Sequence, residues 1–184
     1  MDRKKIHVRE TDDSDLNDIL DVETQAFGYD KEAELVRQLL SDETAAPDVS
    51  LLALHEREAV GHILFTKATI EGTDPTPLVY ILAPLAVKPG FQKQGLGGML
   101  IREGLRKLKE IDVEMVFVLG HMKYYPQYGF TPDAGKLGFP APYSIPPEHA
   151  DAWMVQSLSS DGLCLTIGKV RCADALHKPE HWRE

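Results

Sequence analysis

Cysteine is scarce in this 184-residue sequence: there are two, Cys164 and Cys172. Their spacing matches no zinc motif, and two cysteines in a chain of this length do not make a disulfide scaffold. They fall on a predicted hairpin and read as buried thiols, so no metal site is expected. Long apolar runs are missing too. No stretch approaches the roughly eighteen residues needed to span a membrane. The opening residues are polar and charged, so no secretory leader is expected and a cytoplasmic address is. Positive charge is in deficit, with 20 Lys and Arg against 29 Asp and Glu, a net charge of -9. General nucleic-acid binding wants a basic footprint and is not expected. Two nucleotide fingerprints are absent. No Gly-x-Gly-x-x-Gly follows the first strand, and no glycine loop runs into Gly-Lys-Ser/Thr.

What is present fits one soluble domain. Hydrophobic residues make up 43% and charged residues 27%, both ordinary values. The expected division is a single domain over residues 1–172 and a polar C-terminal tail over 173–184.

One stretch organises the rest. Val79 to Val87 is an apolar run, Lys88-Pro89-Gly90-Phe91 is a turn, and Gln92-Lys93-Gln94-Gly95-Leu96-Gly97-Gly98 opens a helical pattern. Free backbone N–H groups point out of a helix start, and the helix dipole favours negative charge there. Glycine lets that backbone come close to an anion, so a side chain at Gly95 or Gly97 is expected to obstruct it. Pro84 interrupts the apolar run. Proline cannot donate to a strand ladder, so a bulge or a splay from one neighbour is expected there.

Ahead of this stretch, Ile6 to Arg9 reads as a strand. Thr11 or Asp12 caps a helix carrying Leu16, Ile19, Leu20 and Glu23 on one face. A second helix covers Lys31 to Leu40. Val49 to Leu54 and Ala59 to Ile70 form a hairpin across a polar turn. After the principal helix, with Gly104 marking close packing, Glu114 to Leu119 completes a strand–helix–strand unit with parallel pairing. Tyr124-Tyr125-Pro126-Gln127-Tyr128 is a short helix or turn, and Ala152 to Leu158 pairs with Leu163 to Arg171. Trp182 stands isolated in the tail.

With these motifs in place the sequence resembles the GCN5-related N-acetyltransferase (GNAT) family. The resemblance rests on Gln92-Lys93-Gln94-Gly95-Leu96-Gly97, on the strand before it, and on Tyr125-Pro126-Gln127-Tyr128-Gly129-Phe130. It is similar in more detail to the YhbS-type predicted acetyltransferases, through Val60 to Leu64, Leu82 to Val87 with Pro89, Val118-Leu119-Gly120 and Gly168-Lys169-Val170. The resemblance implies an α+β GNAT fold: a mixed, mostly antiparallel sheet with a central splayed parallel strand pair, flanked by helices.

It also implies a function. The cosubstrate would be acetyl-CoA, its pyrophosphate on the amides of Gln92, Lys93, Gln94, Gly95, Leu96, Gly97 and Gly98. The pantetheine amides would pair with the backbone of Leu85, Ala86 and Val87 as an added strand does. Val87 N–H would bond the thioester carbonyl, and Tyr125 would be the general acid for the thiolate. Tyr124 and Tyr128 would pack or line the acceptor pocket. That pocket would lie among the first two helices, the loop Glu71 to Pro77 and the loop Thr131 to Pro147. Lys88, Lys93, Arg102 and Arg106 would suit the phosphates. A small-molecule primary amine is the expected acceptor, attacking directly in a ternary complex. A protein or peptide amine, or a non-catalytic acyl-CoA sensor, are the alternatives. Pairing through Ala152 to Val170 would give a homodimer.

The sequence departs from the better-known members in one respect. Where those carry a glutamate base on the central strand, this chain has Ile81. His62, His121, Glu23 or an ordered water chain are the substitutes.

Overall fold

The structure, a computed structural model, describes residues 5–163 and 167–183. Cys164 lies outside them. The chain order is β1 (Ile6–Glu10), α1 (Leu16–Phe27), α2 (Lys31–Leu40), β2 (Val49–His55), β3 (Glu58–Ile70), β4 (Val79–Val87), α3 (Leu96–Glu110), β5 (Met115–Leu119), β6 (Trp153–Ser157) and β7 (Val170–Arg171). β1 to β6 lie side by side in chain order, and β7 pairs with β3. The β4–β5 pair is parallel and the other pairs are antiparallel. The parallel pair needs a crossover, and α3 supplies it.

The local reasons are visible in the sequence. Asp12 closes a capping box with Asp15 ahead of α1, and Gly28 ends α1 in the left-handed conformation at φ 78°. Side-chain alternation along β2 to β5 divides the core between the two faces of the sheet. Leu52, Leu64, Ile81, Ala86 and Phe117 face α1 and α2, with Ile19, Val22, Val36 and Leu39. Leu51, Ile63, Phe65, Tyr80 and Leu82 face α3, with Leu96, Leu100, Ile101 and Leu108. Gly104 does mark close packing, since a Cβ there would lie 2.2 Å from the Phe65 ring.

Three features differ from the expectation. Among the described residues of Leu163 to Arg171, none pairs with β6, and residues 164–166 of that expected strand lie outside them. Its described strand, β7, is two residues long and joins β3 at Thr69 and Ile70. The reason is that Thr131 already bridges to Val155 on that side of β6. The loop Glu71 to Pro77 is tied to this same end of the sheet by an Arg171–Glu71 ion pair at 2.9 Å and the Glu71 N–H to Lys169 bond. It therefore sits roughly 26 Å or more along β4 from Val87, by strand rise, and not beside the far end of that strand. Finally, residues 173–184, read as a tail, pack closely as far as they are described. Trp182 is 2% exposed, lies edge-on to Trp153, and donates from Nε1 to the Leu176 carbonyl.

Candidate active site

The site begins where β4 and β5 part. Their pairing runs from Val79–Met115 to Leu82–Val118 and stops there, while β4 continues to Val87 beside β3 alone. The break coincides with Pro84, and the β3 register shifts between Ile63 and Phe65 at the same level. Both the expected bulge and the expected splay are present. The Lys88 N–H donates to the Val60 carbonyl across β3. By strand alternation Val87 and Leu85 then direct their N–H and C=O groups the other way, into the gap. The Val87 carbonyl accepts there from Gln92 Nε2 at 2.9 Å. The Val87 N–H faces the gap as a donor beside that of Leu85.

The turn that follows is built for a helix start with open amides. Pro89–Phe91 is one 3-10 turn, Lys93 takes φ 58°, and Gly95 takes φ 88° as the N-cap of α3. No side chain caps α3. Its first N–H groups face a cleft of about 250 Å³ lined by Leu85, Val87, Gln92, Gly95, Gly97 and Tyr124 among others. Strand edge, glycine turn and helix start thus converge on one small hollow. Uncapped amides at a helix start suit a phosphate, and an unpaired strand edge suits an amide chain. The residues present fit the two parts of acetyl-CoA.

The three tyrosines form one edge-on cluster over the helix start. Tyr124 and Tyr128 line this cleft. A Cβ on Gly97 would meet the Tyr124 hydroxyl at 2.3 Å, and one on Gly98 the Tyr128 hydroxyl at 2.5 Å. Tyr124 thus crowds the space a side chain at Gly97 would take. Burial, and then the Tyr128 hydroxyl, raise the Tyr124 pKa above the ordinary phenol value. Tyr125 is 9% exposed and lies against Gly120 at the end of β5, edge-on to Tyr124 and Phe130. It stands on the β5 side of the splay.

Relatives of known fold and sequence agree with this geometry. Residues 16–130 match the model of the Acetyltransferase (GNAT) family. The chain belongs to the GNAT family. It is 57% identical over 164 residues to YjhQ of Escherichia coli K12, described as an uncharacterized N-acetyltransferase, covering 89% of this chain and 90% of that protein. It is also similar to the E. coli protein YhbS, whose crystal structure in complex with CoA superposes with a TM-score of 0.84 at 26% identity over 95% of this chain and 93% of that one. A GNAT acetyltransferase from Brucella melitensis, solved with acetyl-CoA, gives a TM-score of 0.73 at 27% identity, with 93% and 97% covered. The mixed sheet with one parallel pair and flanking helices is the GNAT fold.

The cations of this GNAT domain divide into two groups. Lys88 is 7% exposed and pairs with Asp21 at 2.8 Å and Glu58 at 3.3 Å. Burial alone would lower its pKa, and the two carboxylates outweigh that and raise it. Arg106 is held by Glu103 and Glu110. Lys88 ties β4 to α1 and β3, and Arg106 is engaged by carboxylates of its own helix. Lys93 is exposed at the turn, and Arg102 lies 5.7 Å from the Tyr128 ring centroid at the cleft rim.

Ile81, at the usual glutamate position, is buried in the core, and of the substitutes considered as a base His121 is exposed. Glu23 and His62 meet. His62 Nδ1 is 2.5 Å from Glu23 Oε1, and His62 Nε2 is 3.0 Å from Ser50 Oγ. Burial, opposed by the His62 hydrogen bond, raises the Glu23 pKa. Ser50 was not legible as a member of this group, because only the register of β2 on β3 brings it beside His62. Larger hollows lie elsewhere, such as one of about 580 Å³ between the start of α1 and the end of α2.

Proposed function

We propose that this GNAT chain transfers the acetyl group of acetyl-CoA to a primary amine by direct attack in a ternary complex, with a small molecule as acceptor. The observation that carries this reading is the continuation of β4 past Leu82 without β5, directly before an uncapped glycine helix start. The CoA bound by YhbS and the acetyl-CoA bound by the Brucella protein support it.

In this reading the backbone of Leu85, Ala86 and Val87 takes the pantetheine as an added strand. The amides of Gln92, Lys93, Gln94, Gly95, Leu96, Gly97 and Gly98 take the pyrophosphate at the positive end of α3. Acetyl-CoA supplies an activated acyl group as a thioester. The Val87 N–H, directed into the gap, polarises its carbonyl oxygen. Gln92, bound to the Val87 carbonyl, fixes the peptide on the other side of Val87. The amine nitrogen attacks the carbonyl carbon, a C–N bond forms and the C–S bond breaks. Tyr125 donates its phenol proton to the departing thiolate, and a proton leaving the nitrogen replaces it.

The test is thiol release from acetyl-CoA against a panel of primary amines. Release with one class of small amine supports the reading. Release only with peptide amines moves the acceptor to a protein, and binding without release makes the domain an acyl-CoA sensor.

A further inference from the structure

Lys88 directly follows Val87 and is 7% exposed. A lysine is buried this deeply only when it is paired. Its Nζ stands 2.8 Å from Asp21 Oδ2 of α1 and 3.3 Å from Glu58 Oε1 at the first residue of β3. Asp21 is held in turn by Gln25 Nε2, which reaches its two carboxylate oxygens at 2.8 and 2.9 Å. One ammonium thus joins α1, β3 and the residue that leaves β4.

The strand end needs such a tie. β4 has neighbours on both sides as far as Leu82 and only β3 beyond it. A strand with one open edge is held by fewer contacts and opens locally at lower cost. The Val87–Lys88 peptide is fixed at both ends, its carbonyl by Gln92 Nε2 and its N–H by the Val60 carbonyl. The bond to Val60 lies in the sheet. Restraint perpendicular to the sheet comes from side chains. Lys88, two residues past Ala86, extends from the same face of the sheet toward α1.

Building on the transfer reaction above, we infer that Lys88 is a positioning residue: through Asp21 and Glu58 it holds the open end of β4 so that the Val87 N–H meets the thioester oxygen, and it sets that donor relative to α1. Lys88 acts through Val87 and not on the reacting atoms. A donor to a developing oxyanion is effective only when it is already in place. Small displacements at a reacting centre cost far more in rate than in binding. The contacts to pantetheine and pyrophosphate are spread over the strand and the turn, so the affinity for acetyl-CoA depends little on this tie.

The test uses acetyl-CoA carrying 13C at the thioester carbonyl. Infrared difference spectra of the bound ligand read the hydrogen bond to that oxygen, because a donor lowers the stretching frequency. Wild type is expected to show a stretch below that of free acetyl-CoA. Lys88→Met keeps the length of the side chain and removes the charge. The side chains of Asp21 and Glu58 are 51% and 60% exposed, so water takes up both carboxylates and no buried charge is stranded. In this variant the stretch is expected to return most of the way to the free value. With the amine of the panel that releases most thiol from wild type, its kcat is expected to fall about thirtyfold, while Kd for acetyl-CoA changes less than about threefold by calorimetry. Lys88→Arg can still engage both carboxylates and is expected to restore the wild-type stretch and most of kcat. Asp21→Asn loosens the tie at an exposed position and is expected to move the stretch the same way by a smaller amount, which carries the test should Lys88→Met not fold. A wild-type stretch equal to the free one, a stretch unmoved in the folded variants, or a loss of affinity as large as the loss of kcat would overturn the inference. So would a stretch as displaced in Lys88→Arg as in Lys88→Met. Should acetyl-CoA bind without thiol release to any amine, the stretch decides alone. Failure of wild type to bind acetyl-CoA would instead overturn the transferase reading beneath it.

Discussion

Gly97 and Tyr124 are in such close contact that a Cβ on the glycine would stand 2.3 Å from the phenol oxygen. This contact fixes the height of the aromatic cluster over the helix start, and so the width of the cleft. Gly97→Ala is expected to destabilise the domain by about 1–3 kcal/mol through overpacking. Adding Tyr124→Phe removes the oxygen the methyl meets, and most of the loss is expected to return. Urea denaturation of the two single variants and the double variant reads this coupling. Strict additivity would mean that Gly97 is required for another reason.

Tyr125 is the phenol assigned to the leaving thiolate. Tyr125→Phe removes only the hydroxyl, and the ring keeps its contacts with Gly120 and Phe130. Turnover at saturating acetyl-CoA is expected to fall about a hundredfold or more, with cofactor affinity unchanged. Stopped-flow thiol release and calorimetry on the same preparation check both halves. A comparable fall in Tyr124→Phe with none in Tyr125→Phe would pass the role to the tyrosine that lines the cleft.

The helix that carries Glu23 is pinned to β1 by Arg9, whose two terminal nitrogens reach both Asp15 carboxylate oxygens at 2.7 Å. The Arg9 hydrogen bond, opposed by burial, holds the Asp15 carboxyl below its ordinary 3.8. A lowered pKa gives stability that is present above the unfolded value and is lost as pH falls through the folded one. Asp15→Asn is expected to cost about 1–2 kcal/mol at neutral pH, an amount discounted for the partly open Arg9. The difference between wild type and variant should close as pH drops below 3.8. Thermal melts across that range give the answer, and a pH-independent gap would assign the cost to the lost capping box instead.

The C-terminal turns are part of the core. Trp182→Ala is expected to cost about 3–5 kcal/mol, as for other buried aromatic truncations. The measurement is the urea midpoint. A change under about half a kcal/mol would mean that the Trp182–Trp153 contact contributes nothing to the folded state.

The sequence was most informative where local chemistry decides the outcome. The Asp12 cap, the Gly28 stop, the Lys31–Leu40 helix and the break at Pro84 all follow from short-range rules, and each is found. Contacts set by register and packing were not visible. Ser50 meets His62 only because β2 and β3 pair as they do. Lys88 looked like a phosphate ligand in a row of cations, but α1 brings Asp21 onto it. Trp182 looked isolated among polar neighbours, and only the fold shows Trp153 waiting beneath it. The site was legible as a backbone feature, because glycines and a proline mark backbone. The contact of Ser50 with His62, and of His62 with Glu23, was not, because no spacing along the chain reports distances across the sheet.

The most direct test of the account is calorimetric titration of the protein with acetyl-CoA, beside NADH as a control and Gly95→Ala as the variant. Gly95 holds φ 88° at the head of α3, a conformation that strains any residue with a side chain. The account predicts saturable one-site binding of acetyl-CoA, none of NADH, and a loss of affinity of tenfold or more, on the order of 1.4 kcal/mol, in Gly95→Ala. Absence of acetyl-CoA binding to the wild type, or binding that Gly95→Ala leaves untouched, would contradict the placement of the cofactor between the open edge of β4 and the start of α3.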